Sequence, residues 1–356
     1  MTTEIRVLAD EDELVAAANL FRTAMVGFPP LPNLSAGQIT KLLEPGRTVG
    51  AFVDGLLVGT ADAVTSGLTL PGGAVVGHAA VTHIGVLPSF TRKGIATELI
   101  RHQLRDIAAR GEVVATLRAS EATIYERYGY GVASSSQSVE VQTARAALRA
   151  DVGTGGQVRL IDIAHAWDVL PRIYTNNRSS RPGTIDRPQV WWEGLRLRTE
   201  SASGASYVAM HGEPGSESGF IRYRPIDTER WFVSDQRTIV VEDFFAPTME
   251  AYLGLLRFLL GLNLIDRVMF WMLPVDDRLL PTNSATFTIS GEGAEPTDRR
   301  PELRVGIEGL ACVLLGGASW HSLAAGGLAK ADDPATLTAA DRLFAVHEAP
   351  YAGFFF

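Results

Sequence analysis

The chain has 356 residues, 46% apolar and 20% charged, an ordinary globular balance long enough for two or three domains and without the signature of disorder. Its 32 Lys and Arg against 40 Asp and Glu leave a net charge of −8, which argues against general nucleic-acid binding. No apolar run reaches the length of a membrane span, the N-terminus lacks the basic and apolar regions of a signal peptide, and the seven His form no metal-ligand pair. The expectation is a cytoplasmic protein with no metal, no nucleic acid and no membrane partner.

In chain order, EIRVLA reads as a strand and DEDELVAAANLFRTAM as an amphipathic helix opened by acidic capping residues. TVGAFVDGLLVGTADAVTSGLTL reads as a hairpin turning at Asp54-Gly55. AAVTHIGVLP is a further strand, and the helix after it repeats Ala96, Ile100, Leu104 and Ile107 before stopping at Gly111. EVVATLRAS predicts a strand and EATIYERYG a short helix. The Gly-rich DVGTGGQ marks a linker or tight turn at 151–157.

A second α/β stretch follows: VRLIDIAHAWDVLPRIYTNN as strand and helix, PQVWWEGLRLRTE as helix, then three strands, a helix in PTMEAYLGLLRFLLGLN and a strand in RVMFWMLPVDD. Its order repeats that of the first half and suggests a structural duplication. The last seventy or so positions mix short strand and helix signals, as in PATLTAADRLFAVHEA. There Cys312, the sole cysteine, sits in the apolar run LACVLLGG, so no intramolecular disulfide is possible and a buried, inert thiol is expected.

The segment richest in chemistry is VTHIGVLPSFTRKGIATELI. Arg92, Lys93, Gly94, Ile95 and Ala96 stand where a strand gives way to a helix. Backbone N–H groups at such a junction can cradle a pyrophosphate, Gly permits close approach, and the two cations add charge. Neither a GxxxxGK[ST] loop nor a GxGxxG fingerprint is present. At the equivalent junction of the second half, VVEDFFAPTMEAYL offers acids, Phe and Pro instead, so that half should not bind the same ligand.

VLPSFTRKGIA resembles the acyl-CoA signature of the GNAT acyltransferases, Q/R-x-x-G-x-G/A, with Thr91 in the place of the first Gln or Arg. LRASEATIYERYGYGVAS is similar to a segment of the Eis (enhanced intracellular survival) acetyltransferases, and RPQVWWEGL, YRPID, RFLLGLNLIDRV and the carboxyl end extend the likeness over most of the chain. The resemblance implies an α/β (α+β) fold of tandem GNAT-like domains and a reduced sterol-carrier-like C-terminal domain. Its expected parts are a catalytic acyl-CoA-binding domain at 1–148, a second GNAT-like domain without a CoA site at 149–283, and the C-terminal region at 284–356.

It further implies an acetyl-CoA-dependent N-acetyltransferase. Ile84, Gly85 and Val86 pair with the pantetheine arm and supply an oxyanion N–H. Arg92, Lys93, Gly94, Ile95, Ala96 and Thr97 hold the pyrophosphate, with Ser120 and Glu121 completing the acetyl-CoA site. Tyr125 protonates the departing thiolate, since a phenol keeps its proton at neutral pH. The chain-terminal carboxylate of Phe356 acts as base in the family. A free α-carboxyl, with pKa about 3.3–3.7, is too acidic for that task, but burial among the closing aromatics of YAGFFF would raise it. The structural alternative is a terminal plug of ordinary core, each Phe contributing roughly 1.5–3 kcal/mol.

Around the acceptor the expected lining is His83, Trp192 and Phe355. His83 stands where the family often has an aromatic and either fills that space or relays a proton. Ala24 and Phe355 replace two family acids that help hold polycationic aminoglycosides. The remaining readings are transfer of an acetyl or other small acyl group to an amino-sugar antibiotic or similar primary amine, a narrower biosynthetic tailoring acyltransferase, a lysine or peptide N-acetyltransferase, or a non-catalytic CoA- or lipid-binding protein. A homo-oligomer, a hexamer in the family, is expected.

Overall fold

The computed structural model describes residues 3–28, 36–119, 121, 124–148, 153–202, 204–274, 277, 286–314 and 318–346. The chain divides into Met1–Val275 and Asp276–Phe356. In the first body, β1 (Thr3–Val7), β2 (Val49–Val53), β3 (Leu56–Thr69), β4 (Val75–Val86) and β5 (Val114–Leu117) form a sheet in that spatial order. Only β4 and β5 run parallel, because α3 (Ile95–Ala109) connects them and a parallel pair needs such a crossover. Both α1 (Glu11–Ala24) and α2 (Ala36–Leu42) lie between β1 and β2 in the chain.

Local chemistry explains these elements. Asp10 caps α1 by accepting from the N–H groups of Asp12 and Glu13 at 3.0 and 3.2 Å, and Leu14, Ala17 and Leu20 form its buried stripe. Asp54 and Gly55 have φ of 50° and 79°, as a two-residue hairpin turn requires. Helix α3 buries Ile95, Leu99, Ile100 and Ile107, the first two against Val49, Ala51, Val58 and Ala61 and Ile107 against Ala63, Ala79 and Val81, each large aliphatic contributing roughly 1.5–3 kcal/mol. Arg47, fully buried, meets Glu112 at 2.9 Å and joins the segment before β2 to the one before β5.

The second sheet has the order β6-β11-β10-β9-β8-β7. Its strands are β6 (Ser136–Gln142), β7 (Val158–Ile161), β8 (Tyr207–His211), β9 (Gly219–Ile226), β10 (Thr238–Phe245) and β11 (Arg267–Pro274). Helices α4 (Ile163–Asn176) and α5 (Gln189–Ser201) precede β8, and α6 (Met249–Leu260) joins the parallel pair β10 and β11. The sequence reading passed over β6, although SQSVEVQ alternates in burial. By pairing, β6 belongs to β11, so the first sheet ends at β5.

DVGTGGQ forms a packed turn where it is described. Gly155 and Gly156 have positive φ, and the Gly155 carbonyl accepts from His211 Nε2 at 2.7 Å while lying against Gly254 of α6. The two sheets are stitched by backbone: Thr69 N–H donates to Thr184 O and Asp186 N–H to Gly67 O, both at 2.9 Å. Arg178 adds bonds to Gly67 O and Thr184 O.

In the second body, β12 (Phe287–Ser290) pairs with β13 (Gly293–Pro296) and β14 (Leu303–Val305) with β15 (Ala329–Ala331). Helices α7 (Ile307–Leu314), α8 (Trp320–Ala325) and α9 (Pro334–Leu343) supply Val313, Trp320, Leu323 and Leu337 to its core. Cys312 is exposed, contrary to expectation, because its neighbour Val313 takes the inward position and successive helix residues diverge by about 100°. Among the described residues no helix is long and apolar enough to cross a membrane.

The Gly155–Gly254 contact has a measurable consequence. A Cβ at Gly254 would collide with the Gly155 carbonyl and lie 2.8 Å from His211 Cδ2, so Gly254→Ala should destabilise by roughly 1–3 kcal/mol. Gly37, with open space around it, should accept Ala at no cost, and thermal unfolding of the two variants compares them.

Candidate active site

Between the rungs Thr60–Gly85 and Asp62–Thr82, β3 advances two residues and β4 three. This extra residue is a β-bulge, which bends a strand and re-aims its side chains. His83 sits in it with φ of 50°, a left-handed conformation uncommon for a residue with a Cβ. On its other edge, β4 pairs with β5 only from His78–Val114 to Val81–Leu117. The ladder to β5 therefore stops as β4 bends, and the stretch from Thr82 to Val86 runs on without rungs on that side.

Helix α1 packs directly over the bulge: a Cβ on Gly85 would lie 3.1 Å from Ala24 Cβ and 3.4 Å from Phe21 Cα. The Phe21 ring meets the His83 ring edge-on, with centroids 4.9 Å apart. Asp62, 1% exposed, accepts from Thr48 Oγ1 at 3.1 Å and faces His83 Nδ1 across 3.3 Å. Half of the His83 side chain stays accessible. It lines a cavity of about 280 Å³ with Asp62, Phe21, Arg22, Trp191 and Arg198, so the first sheet and α1 supply one wall and α5 another. Burial lowers the pKa of Arg22. That of Arg198 is lowered by burial and then by the nearby charges of Arg222 and Arg22.

Beyond the bulge the chain reaches α3, whose N-cap is Gly94 in the left-handed conformation, φ 83°, with no capping side chain. Asp, Ser or Thr side chains cap α1, α4, α6, α8 and α9. The first-turn N–H groups of α3, Ile95, Ala96 and Thr97 among them, thus lack the side-chain acceptor those helices have, an arrangement suited to an anion. Arg92 also has positive φ, 60°, and Lys93 Nζ bonds the Ser89 carbonyl at 3.2 Å.

The Tyr125 loop is tied to this turn. Thr97 Oγ1 and Tyr128 OH are hydrogen-bonded at 2.9 Å, and the Tyr128 N–H donates to the Tyr125 carbonyl at 3.0 Å. Burial, then Tyr128, raises the Tyr125 phenol above its ordinary pKa near 10. Tyr130, stacked edge-on against Tyr125, is pushed up to about 12, mainly by burial. A phenol so placed keeps its proton at neutral pH and can donate it.

Residues 4–133 and 183–290 match families described as acetyltransferase (GNAT) domain, and 266–353 match a sterol carrier protein domain. An uncharacterized N-acetyltransferase of Streptomyces coelicolor is 34% identical over 78% of this chain and 68% of its own length. The crystal structure of Eis1 from Mycobacterium abscessus is 39% identical, with a TM-score of 0.67 over 99% of this chain and 100% of that one. The chain belongs to the Eis family of GNAT N-acetyltransferases. An uncharacterized N-acetyltransferase of Streptomyces avermitilis aligns over 410 positions, 28% identical and covering 99% of each chain, so that relative carries segments which these 356 residues lack.

In this Eis-family chain the structure brings Ile84, Gly85 and Val86 to the unpaired edge of β4, and Gly94, Ile95, Ala96 and Thr97 to the opening turn of α3. Glu121 is exposed in a bend, while Ser120, Phe355 and Phe356 lie outside the described residues. EATIYERYG is a 3-10 turn at Glu126–Tyr128 where it is described, rather than a helix. Trp192 does not line the cavity beside His83. It is 3% exposed, packed with Tyr174 and Phe220 and bonded to the Arg187 carbonyl, and its neighbour Trp191 faces the cavity. Sequence reasoning missed Asp62, Arg22 and Arg198; the signal for Asp62 was a lone acid within the strand VGTADAVT. Thr97→Val should cut the tie to Tyr128 and lower kcat about fivefold, one hydrogen bond's net worth, with the fold intact by circular dichroism.

Proposed function

We propose that this protein transfers an acetyl or similarly small acyl group from acyl-CoA to a primary amine of a small molecule, an amino sugar or a comparable amine. The observation that carries the reading is the parting of β4 from β5 beside an uncapped helix N-terminus to which the Tyr125 loop is bonded. The open edge of β4 fits an extended amide-bearing arm, and the α3 turn with Arg92 and Lys93 fits a pyrophosphate, so acetyl-CoA suits both.

In this reading the neutral amine nitrogen attacks the thioester carbon, backbone N–H groups near Gly85 hold the oxyanion, and the carbon–sulfur bond breaks as Tyr125 protonates the thiolate. The amine surrenders its extra proton to the chain-terminal carboxylate of Phe356, a role taken from the family, or to His83, which Asp62 holds at the bulge. The acceptor cavity contains two arginines and one acid, which favours a narrower acceptor over a polycationic aminoglycoside.

Removing the phenol tests the acid. Tyr125→Phe should lower kcat by roughly 10²–10⁴ with KM for acetyl-CoA little changed, read as thiol release; unchanged turnover would remove Tyr125 from the mechanism. Extending the chain by a few residues after Phe356 tests the base. Collapse of turnover identifies the terminal carboxylate, and full turnover in the extended chain assigns the proton to His83.

A further inference from the structure

We propose that the acceptor is a monoamine on an apolar body that also bears an anionic group, a carboxylate or its equivalent, seated against Arg198. This rests on the reading of the cavity as the acceptor site of an N-acyltransferase. The charges that line the cavity are sorted by element. Its strand side carries Asp62 and His83, on β3 and β4 at the bulge. Its helical sides carry Arg22 on α1 and Arg198 on α5.

The reacting carbon must sit by the bulge, where the oxyanion donors are, so the acceptor nitrogen enters beside His83 and the buried carboxylate of Asp62. Phe28, Ile39, Leu42, Val190, Trp191 and Leu197 line the same space and suit an apolar or aromatic body. At about 280 Å³ the cavity is sized for one small molecule. Arg198 Nε donates to the Gly194 carbonyl at 3.1 Å, and among the described residues no carboxylate lies within ion-pair distance of its guanidinium.

The Arg198 guanidinium, in a cleft of mainly apolar lining and with Arg22 on the neighbouring wall, can take an anion through charge-assisted, bidentate bonds. A polyamine would bring further ammonium groups toward Arg198 and be rejected by it. The positive side is local, since the chain as a whole carries −8. It therefore selects within the cavity rather than attracting anions to the surface at large.

The experiment uses full-length protein and three 2-phenylethylamines bearing a para carboxylate, carboxamide or aminomethyl group, with thiol release from acetyl-CoA as readout. The carboxylate should have a kcat/KM about tenfold or more above the carboxamide, and the diamine should be poorest. Arg198→Gln should raise KM for the carboxylate about tenfold, several times more than for the carboxamide. Arg198→Glu should shift preference to the diamine. A wild-type preference for the diamine, or an equal loss on all three substrates in Arg198→Gln, overturns the proposal while leaving the acyltransferase reading standing. Thiol release from none of them, with the carboxylate still bound by calorimetry and released by Arg198→Gln, overturns the acyltransferase reading alone and supports the anion site. Neither turnover nor binding overturns the anion site.

Discussion

One extra residue in β4 is the constraint on which the site depends. A regular ladder would carry β4 alongside β5 to its end and satisfy every backbone group between them. The bulge at His83 bends β4, the rungs to β5 end at Val81–Leu117, and the backbone from Thr82 to Val86 is left facing a gap. The strained φ of His83 is tolerated because its surroundings over-determine it: Asp62 faces the ring from one side and Phe21 packs on it. Gly85, two residues on, gives α1 room to close over the bend. The cavity wall at His83 and the rung-free edge of β4 both follow from that bend.

The second half of the first body has the same topology and a bulge of its own, between Val241 and Asp243 of β10, but closes the space beside it. Strands β10 and β11 are parallel and joined by α6, as β4 and β5 are by α3. Past their last rung, Val241–Phe270, the ring of Phe244 packs edge-on against Phe270 and Tyr252. Thr248 caps α6 by accepting from the Ala251 N–H at 3.1 Å. Aromatic rings stand beside the last rung, and a side chain caps the helix that α3 leaves uncapped. Two strand–helix–strand units of the same topology thus differ at the junction between strand and helix.

That divergence was legible in the sequence because both junctions are local: Gly and cations in one, acids, Phe and Pro in the other. The Asp54-Gly55 hairpin and the stripe of α3 were legible for the same reason, since turn chemistry and helical period are written in consecutive residues. What the sequence concealed was set by long-range packing. Asp62 meets His83 only through the register of β3 on β4. Arg22 and Arg198 come from helices 176 positions apart and share a cavity only after the two sheets are joined. The pair Trp191-Trp192 offered two equivalent rings, and only the direction of the core beneath α5 distinguishes them. Strand β6 escaped notice because its partner, β11, lies more than a hundred residues on.

The second GNAT-like unit, although its own junction is closed, supplies one wall of the cavity through α5. Trp192 anchors α5 in that unit's core, against Tyr174 and Phe220 and under the Arg187 guanidinium. Arg187 is held in turn by both oxygens of Asp243 at 2.6 and 3.1 Å. The residues of α5 that face the cavity, Val190, Trp191, Gly194, Leu197 and Arg198, are therefore fixed by packing in the core of the second sheet. Close-packed cores transmit a volume change to their neighbours, so substitutions beneath α5 should move one wall of the cavity, while the other wall, made by α1 and the first sheet, keeps the bend in β4.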